Sequence, residues 1–151
     1  MKKIATILVA LLIGAVSFNA QAQLTIGKKS EGAKQLVTVS QMWAWLYEAD
    51  GHIFYVSKTT NRFDDLMWLD FGESYDEAAQ TAQALLDALN DAKDGDLLDI
   101  ESLGEKYFLS CNVTLGAKTW LIHASDTRRT YSGEGQMYSG ALKKAIKFLT
   151  K

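Results

Sequence analysis

The stretch Trp43-Ala44-Trp45-Leu46-Tyr47-Glu48-Ala49-Asp50-Gly51-His52-Ile53-Phe54-Tyr55-Val56-Ser57 decides how this chain folds. Asp50-Gly51 lies between two runs rich in aromatic and β-branched residues. That is the strongest short-range hairpin signal, because a tight turn matched to strand twist needs positive φ at both central positions. A two-residue turn sets the register. Tyr47 then faces Phe54, Trp45 faces Val56 and Trp43 faces Lys58 on one side, while Glu48 meets Ile53, Leu46 meets Tyr55 and Ala44 meets Ser57 on the other. Both sides carry large apolar groups. The β-type run before the turn extends back to Leu36, and a third strand is expected at Leu66 to Phe71.

Downstream, Ser74-Tyr75-Asp76-Glu77 has the spacing of a capping box, with the Ser74 hydroxyl accepting from the Glu77 amide and the Glu77 carboxylate reaching back to the Ser74 amide. Tyr75, Ala78, Ala79, Ala82, Leu85, Leu86 and Leu89 recur at helical spacing behind it, and Asp94-Gly95 supplies a stop. This predicts an amphipathic helix over 75–93. Leu97 to Ser102, Tyr107 to Leu115 and Lys118 to Ser125 have strand composition, with Gly116-Ala117 as the turn between the last two. The stripe Tyr138, Ala141, Leu142, Ala145 and Leu149 marks a closing helix, with Lys143, Lys144 and Lys147 off it.

Three strands and a helix, twice over, suggest a duplicated β-β-β-α unit. The expected fold is α+β: a mainly antiparallel sheet with two helices packed on one face. A chain of 151 residues with 48% hydrophobic and 23% charged composition is an ordinary globular domain, which excludes disordered and fibrous classes. Proline is absent, so no proline-rich linker divides it.

The N-terminus reads as an address. Met1-Lys2-Lys3 precedes an apolar run from Ile4 to Phe18 and the small-residue site Ala20-Gln21-Ala22, the pattern of a secretory signal peptide cleaved after Ala22. Residues 1–22 are therefore expected to be removed, 23–35 to form a flexible polar leader, and 36–151 to form the single domain. The mature chain has no further stretch apolar enough to span a membrane. Its 14 basic and 18 acidic groups leave a net charge of −4, which argues against a nucleic-acid partner. Residues 64–105 hold 13 acids and one lysine, whereas 106–151 hold eight basic groups and two acids, so the two halves attract each other.

No catalytic or cofactor motif stands out. With Gly116-Ala117 as the turn, Cys111 is opposite Ile122 on an apolar face with Leu109, Val113 and Trp120, while His123 is opposite Ser110 on the other face. The only thiol and a histidine are then back to back, and Cys111 reads as a buried hydrophobe. His52 beside its turn reads as solvated, and neither histidine belongs to a metal-ligand motif, so no metal and no cofactor is expected. Asp64, Asp65, Asp70 and Glu73 could supply paired carboxylates for acid–base chemistry or a calcium site. The run Asp94, Asp96, Asp99, Glu101 departs from a calcium loop, since Leu98 and Asp99 stand where an oxygen ligand and a glycine are required. It reads instead as a solvated strand edge. Gly133-Glu134-Gly135 lacks the pattern of a phosphate loop.

Two candidate ligand-binding groups remain. Trp43, Trp45, Tyr47, Phe54 and Tyr55 form an aromatic ladder on one hairpin, and helices on one face of a sheet leave its other face for something else to cover. Arg128 and Arg129 beside Tyr131 could hold a carboxylate or sulfate group. The sequence favours a small exported, non-enzymatic binding or interaction module with an unknown protein, peptide or glycan partner. The alternatives are a secreted hydrolase using dispersed carboxylates, and an envelope protein or inhibitor that binds a partner through a sheet edge. Nothing in the sequence specifies an oligomeric state.

Overall fold

The computed structural model describes residues 32–41, 43–59, 66–124 and 135–151. The Asp50-Gly51 turn forms as its residue types require, with φ of 51° and 78°. It joins β2 (Ala44–Ala49) to β3 (His52–Lys58) in the register read from sequence: Tyr47 is opposite Phe54, Trp45 opposite Val56, Leu46 opposite Tyr55 and Ala44 opposite Ser57. The Lys58 amide also donates to the Trp43 carbonyl at 2.8 Å, which extends the ladder to that pair. β4 (Leu66–Gly72) adds on the far side of β3.

On the near side lies a strand that the sequence hid. β1 (Lys34–Ser40) pairs antiparallel with β2, so the β-type run from Leu36 to Glu48 is two strands and not one. Their connection holds neither glycine nor proline; the Trp43 amide closes it on the Ser40 carbonyl at 3.2 Å. Two register shifts, at Gln35/Val37 and Thr38/Ser40, also break the alternation of β1. The strand starts inside the stretch expected to be a flexible leader, at Lys34.

Helix α1 (Tyr75–Asp91) follows, with Ser74 as its N-cap accepting from the Glu77 amide at 3.2 Å. The Glu77 carboxylate takes the Glu73 amide at 2.9 Å, one residue earlier than the Ser74 amide expected of it. The reason is Gly72. Its φ of +139° folds the chain so tightly onto the helix that a Cβ there would lie 2.7 Å from that of Glu77.

The second half repeats the pattern: β5 (Leu97–Ser102), β6 (Glu105–Thr114), β7 (Ala117–Ala124), β8 (Gly135–Tyr138) and helix α2 (Ser139–Leu149). The repeated unit is thus four strands and a helix, one strand longer than expected. The fold is α+β and antiparallel, and its strands form two four-stranded meanders, β1-β2-β3-β4 and β5-β6-β7-β8.

The β6–β7 turn is Leu115-Gly116, with φ of 51° and 81°, and not Gly116-Ala117. Cys111 therefore pairs with Trp120 rather than Ile122, and His123 with Phe108 rather than Ser110. A shift of two residues preserves the faces, because side chains alternate with period two. Cys111 is buried with Leu109, Trp120 and Ile122 in the core, and His123 is on the reverse side.

That core lies between the inner faces of the two sheets and the helix pair. Tyr55, Phe71, Leu46 and Met67 come from the first sheet, Trp120, Leu109, Ile122 and Met137 from the second, and Leu85, Leu89 and Leu142 from the helices. Buried alanines at 78, 79, 82, 84 and 88 leave α1 slim enough to pack on α2, β4 and β7 together. The Trp120 indole donates to the Leu85 carbonyl at 3.0 Å, satisfying its only donor inside the core.

The sheets are joined where β8 meets β3. The Gln136 amide donates to Ser57 Oγ at 3.1 Å, and the Tyr55 hydroxyl donates to the Gln136 carbonyl at 2.8 Å. Among the described residues no helix is long and apolar enough to cross a membrane.

Candidate functional site

The outer face of the first sheet, turned away from the helices, collects the residues of chemical interest. Alternation brings Trp45, Tyr47 and Ala49 of β2, His52, Phe54 and Val56 of β3, and Leu66, Trp68 and Asp70 of β4 to this side. Tyr47, Ala49, Phe54, Val56 and Trp68 form a second, smaller core, against which Ala33, Trp45, Leu66 and Leu103 pack. Trp68 is its centre: its ring centroid lies 5.2 Å from that of Tyr47 and 5.7 Å, edge-on, from that of Phe54. The Tyr47 hydroxyl reaches the Gln35 side chain at 3.1 Å.

The aromatic ladder thus splits. Tyr47 and Phe54 are buried on this face, and Tyr55 is buried on the opposite one, inside the main core. Burial also pushes the Tyr55 phenol well above its ordinary range. These three rings serve packing. Trp45 is half-buried, and Trp43, at the end of β2, is 48% exposed. Among the described residues of this face, one corner stays open: Trp43 and Trp45 with the half-buried Lys58 and Leu66, which face each other across β3 and β4. Arg128, Arg129 and Tyr131, and likewise Asp64 and Asp65, lie outside the described residues.

At the opposite end of the face is a polar node that the sequence did not reveal. His52, expected to be solvated, is buried, with Nδ1 3.1 Å from Asp70 Oδ2 and Nε2 3.8 Å from Glu73 Oε1. The Asp70 side chain is only 3% exposed and the His52 side chain 11%. Asp70 Oδ1 accepts from the Gly72 amide at 2.9 Å, and the Asp70 amide donates to Ser102 Oγ at 2.9 Å, linking the first sheet to the second. Burial raises the Asp70 carboxyl above its ordinary value; the Gly72 amide and the His52 ring oppose that rise, and Glu73 adds to it. The pairing escaped the sequence because the connection from β3 to β4 does not set their register, whereas a two-residue turn does.

The second histidine is built into the outer face of the other sheet. His123 Nε2 lies 2.9 Å from Ser110 Oγ, and its ring stacks on Phe108 with centroids 4.5 Å apart and planes 4° apart. Cys111 is on the other side of that sheet, so thiol and imidazole cannot act together. Burial raises the Cys111 pKa, which disfavours the thiolate a nucleophile needs. Among the described residues no group of three or more His, Cys, Asp or Glu side chains is arranged to hold a metal ion.

Compared with known families, characterised proteins and solved structures, the chain shows no significant match to any of them.

Proposed function

We propose that the protein is an exported, non-enzymatic binding module that recognises its partner through the Trp43 corner of the first sheet. The carrying observation is the exposure of Trp43: the neighbouring rings of Tyr47, Phe54 and Trp68 are buried, while Trp43 leaves about half its surface in water beside the half-buried Trp45. An indole has much to gain from covering such area and costs little rotamer entropy to immobilise, which is why tryptophan dominates binding hot spots. Export is supported by the basic start, apolar run and small-residue site of residues 1–22. A protein, a peptide or a glycan ring are the partner chemistries suited to a flat aromatic corner.

A secreted hydrolase is the second reading, and Asp70 is the observation that favours it, a carboxyl raised by burial and set against a histidine. Against it stands the closure of the node. With side chains 3% and 11% exposed, neither Asp70 nor His52 can touch a substrate without rearrangement.

Binding of the protein and of Trp43→Ala to a glycan array and to cell-envelope proteins tests the proposal. Loss of the truncated indole is expected to weaken capture by about tenfold or more, the scale of a hot-spot residue. Identical binding profiles for the two proteins would remove the basis for the reading.

A further inference from the structure

Each four-stranded meander has two edges, and an unpaired edge is a template for another strand. On β8 both backbone groups of Gln136 are taken, by Ser57 and Tyr55. β1 packs against α2, and on β4 the Asp70 amide is taken by Ser102. β5 differs. The bond from the Cys111 amide to the Asp96 carbonyl, 2.8 Å, sets the phase of its ladder with β6. Bonded and non-bonded positions alternate along an antiparallel pair, so Leu98 and Ile100 turn their amides and carbonyls toward β6, and Leu97, Asp99 and Glu101 turn theirs outward. Among the described residues no backbone bond is made on that outward side.

The same three residues expose their side chains. Leu97 is 65% exposed, and Asp99 and Glu101 are both solvent-facing. Asp94 and Asp96 lie just upstream, and Lys106 stands opposite Glu101 on β6. Among the described residues the edge therefore offers a row of backbone groups that no other strand pairs, with an apolar position at one end and net negative charge along the rest.

We propose that β5 is a docking edge for an extended basic peptide segment of a partner protein, which adds to the second sheet as a fifth strand. The backbone ladder would supply affinity. Alternate lysine or arginine side chains opposite Asp99 and Glu101, with an apolar residue near Leu97, would supply selectivity. Charge selects against a second copy of this chain: two β5 edges brought together would set Asp99 and Glu101 against the same acids. The edge is separate from the Trp43 corner and does not rest on that reading.

The test uses a fluorescein-labelled peptide of alternating lysine and valine, measured by anisotropy and by amide hydrogen exchange. Binding is expected to slow exchange of the Leu97, Asp99 and Glu101 amides about tenfold or more. A peptide N-methylated at alternate residues is expected to bind about tenfold or more weakly, because its ladder donors are gone. Asp99→Pro, which removes one outward amide at an edge position that tolerates proline, should have the same effect. Should that variant not fold, the methylated peptide on the unaltered protein still decides. Asp99→Lys with Glu101→Lys should turn preference to a glutamate–valine peptide, and Trp43→Ala should leave binding unchanged. Absence of binding, binding indifferent to N-methylation, or protection at another strand would overturn the proposal.

Discussion

The Tyr55 hydroxyl donates to the carbonyl of Gln136 at 2.8 Å across 81 positions of sequence, and with Ser57 it closes the edge of β8 against the inner face of β3. A four-residue strand makes few ladder bonds of its own, so β8 depends on these two side chains to satisfy its outward backbone. With the bond from the Asp70 amide to Ser102 Oγ, the junction helps join the two meanders into one core.

Tyr55→Phe keeps the ring, which stacks on Phe71, and removes only the donor, taking a partner from the half-buried Gln136 carbonyl. The expected loss is about 1–3 kcal/mol in chemical denaturation. Ser57→Ala should cost a similar amount, and the double variant less than the sum, since both act on one residue of one strand.

Asp70 makes stability depend on pH in the direction opposite to most carboxylates. A carboxyl raised by burial holds its proton more tightly folded than unfolded, so its contribution is complete below the ordinary value of 3.8 and is lost as pH rises through the raised one. Relative to Asp70→Asn, which cannot titrate, the unaltered protein should gain stability as pH falls from neutral toward 4. Denaturation midpoints across that range measure it, and a difference that is flat or shrinks would contradict the burial argument.

Leu115 holds a φ of 51° with its side chain fully exposed, a conformation that costs a leucine free energy and returns no packing. Leu115→Asn, which tolerates this region, should stabilise the protein by about 0.5–1 kcal/mol. Leu103 has a similar φ of 52°, but it packs on the Trp68 cluster, so the same change there should be neutral or destabilising.

Cys111 is the only thiol and is buried, with its pKa raised mainly by desolvation. It should resist a disulfide reagent such as Ellman's in the native state and react at once in denaturant. Rapid native labelling would mean that the sheet opens at β6.

Short-range chemistry was legible from the residues alone. Asp50-Gly51 dictated a hairpin and its register, the Ser74 cap and its apolar stripe dictated α1, and alternation dictated that Cys111 and His123 face apart, a conclusion that survived a turn misplaced by one residue because faces repeat every two. β1 was not legible, because bulges erase its alternation and no glycine or proline punctuates it; nor was β8, which is too short to show a period.

The division between core and surface was left to tertiary structure. Sequence placed Tyr47, Phe54 and Trp43 on one face, yet only packing on Trp68 decided that the first two are sealed and the third is open. The His52–Asp70 pair and the Tyr55–Gln136 bond depend on registers and sheet junctions with no local cause. The free energies that set them come from burial and from satisfying buried polar groups, and those belong to the assembled chain and to no segment of it.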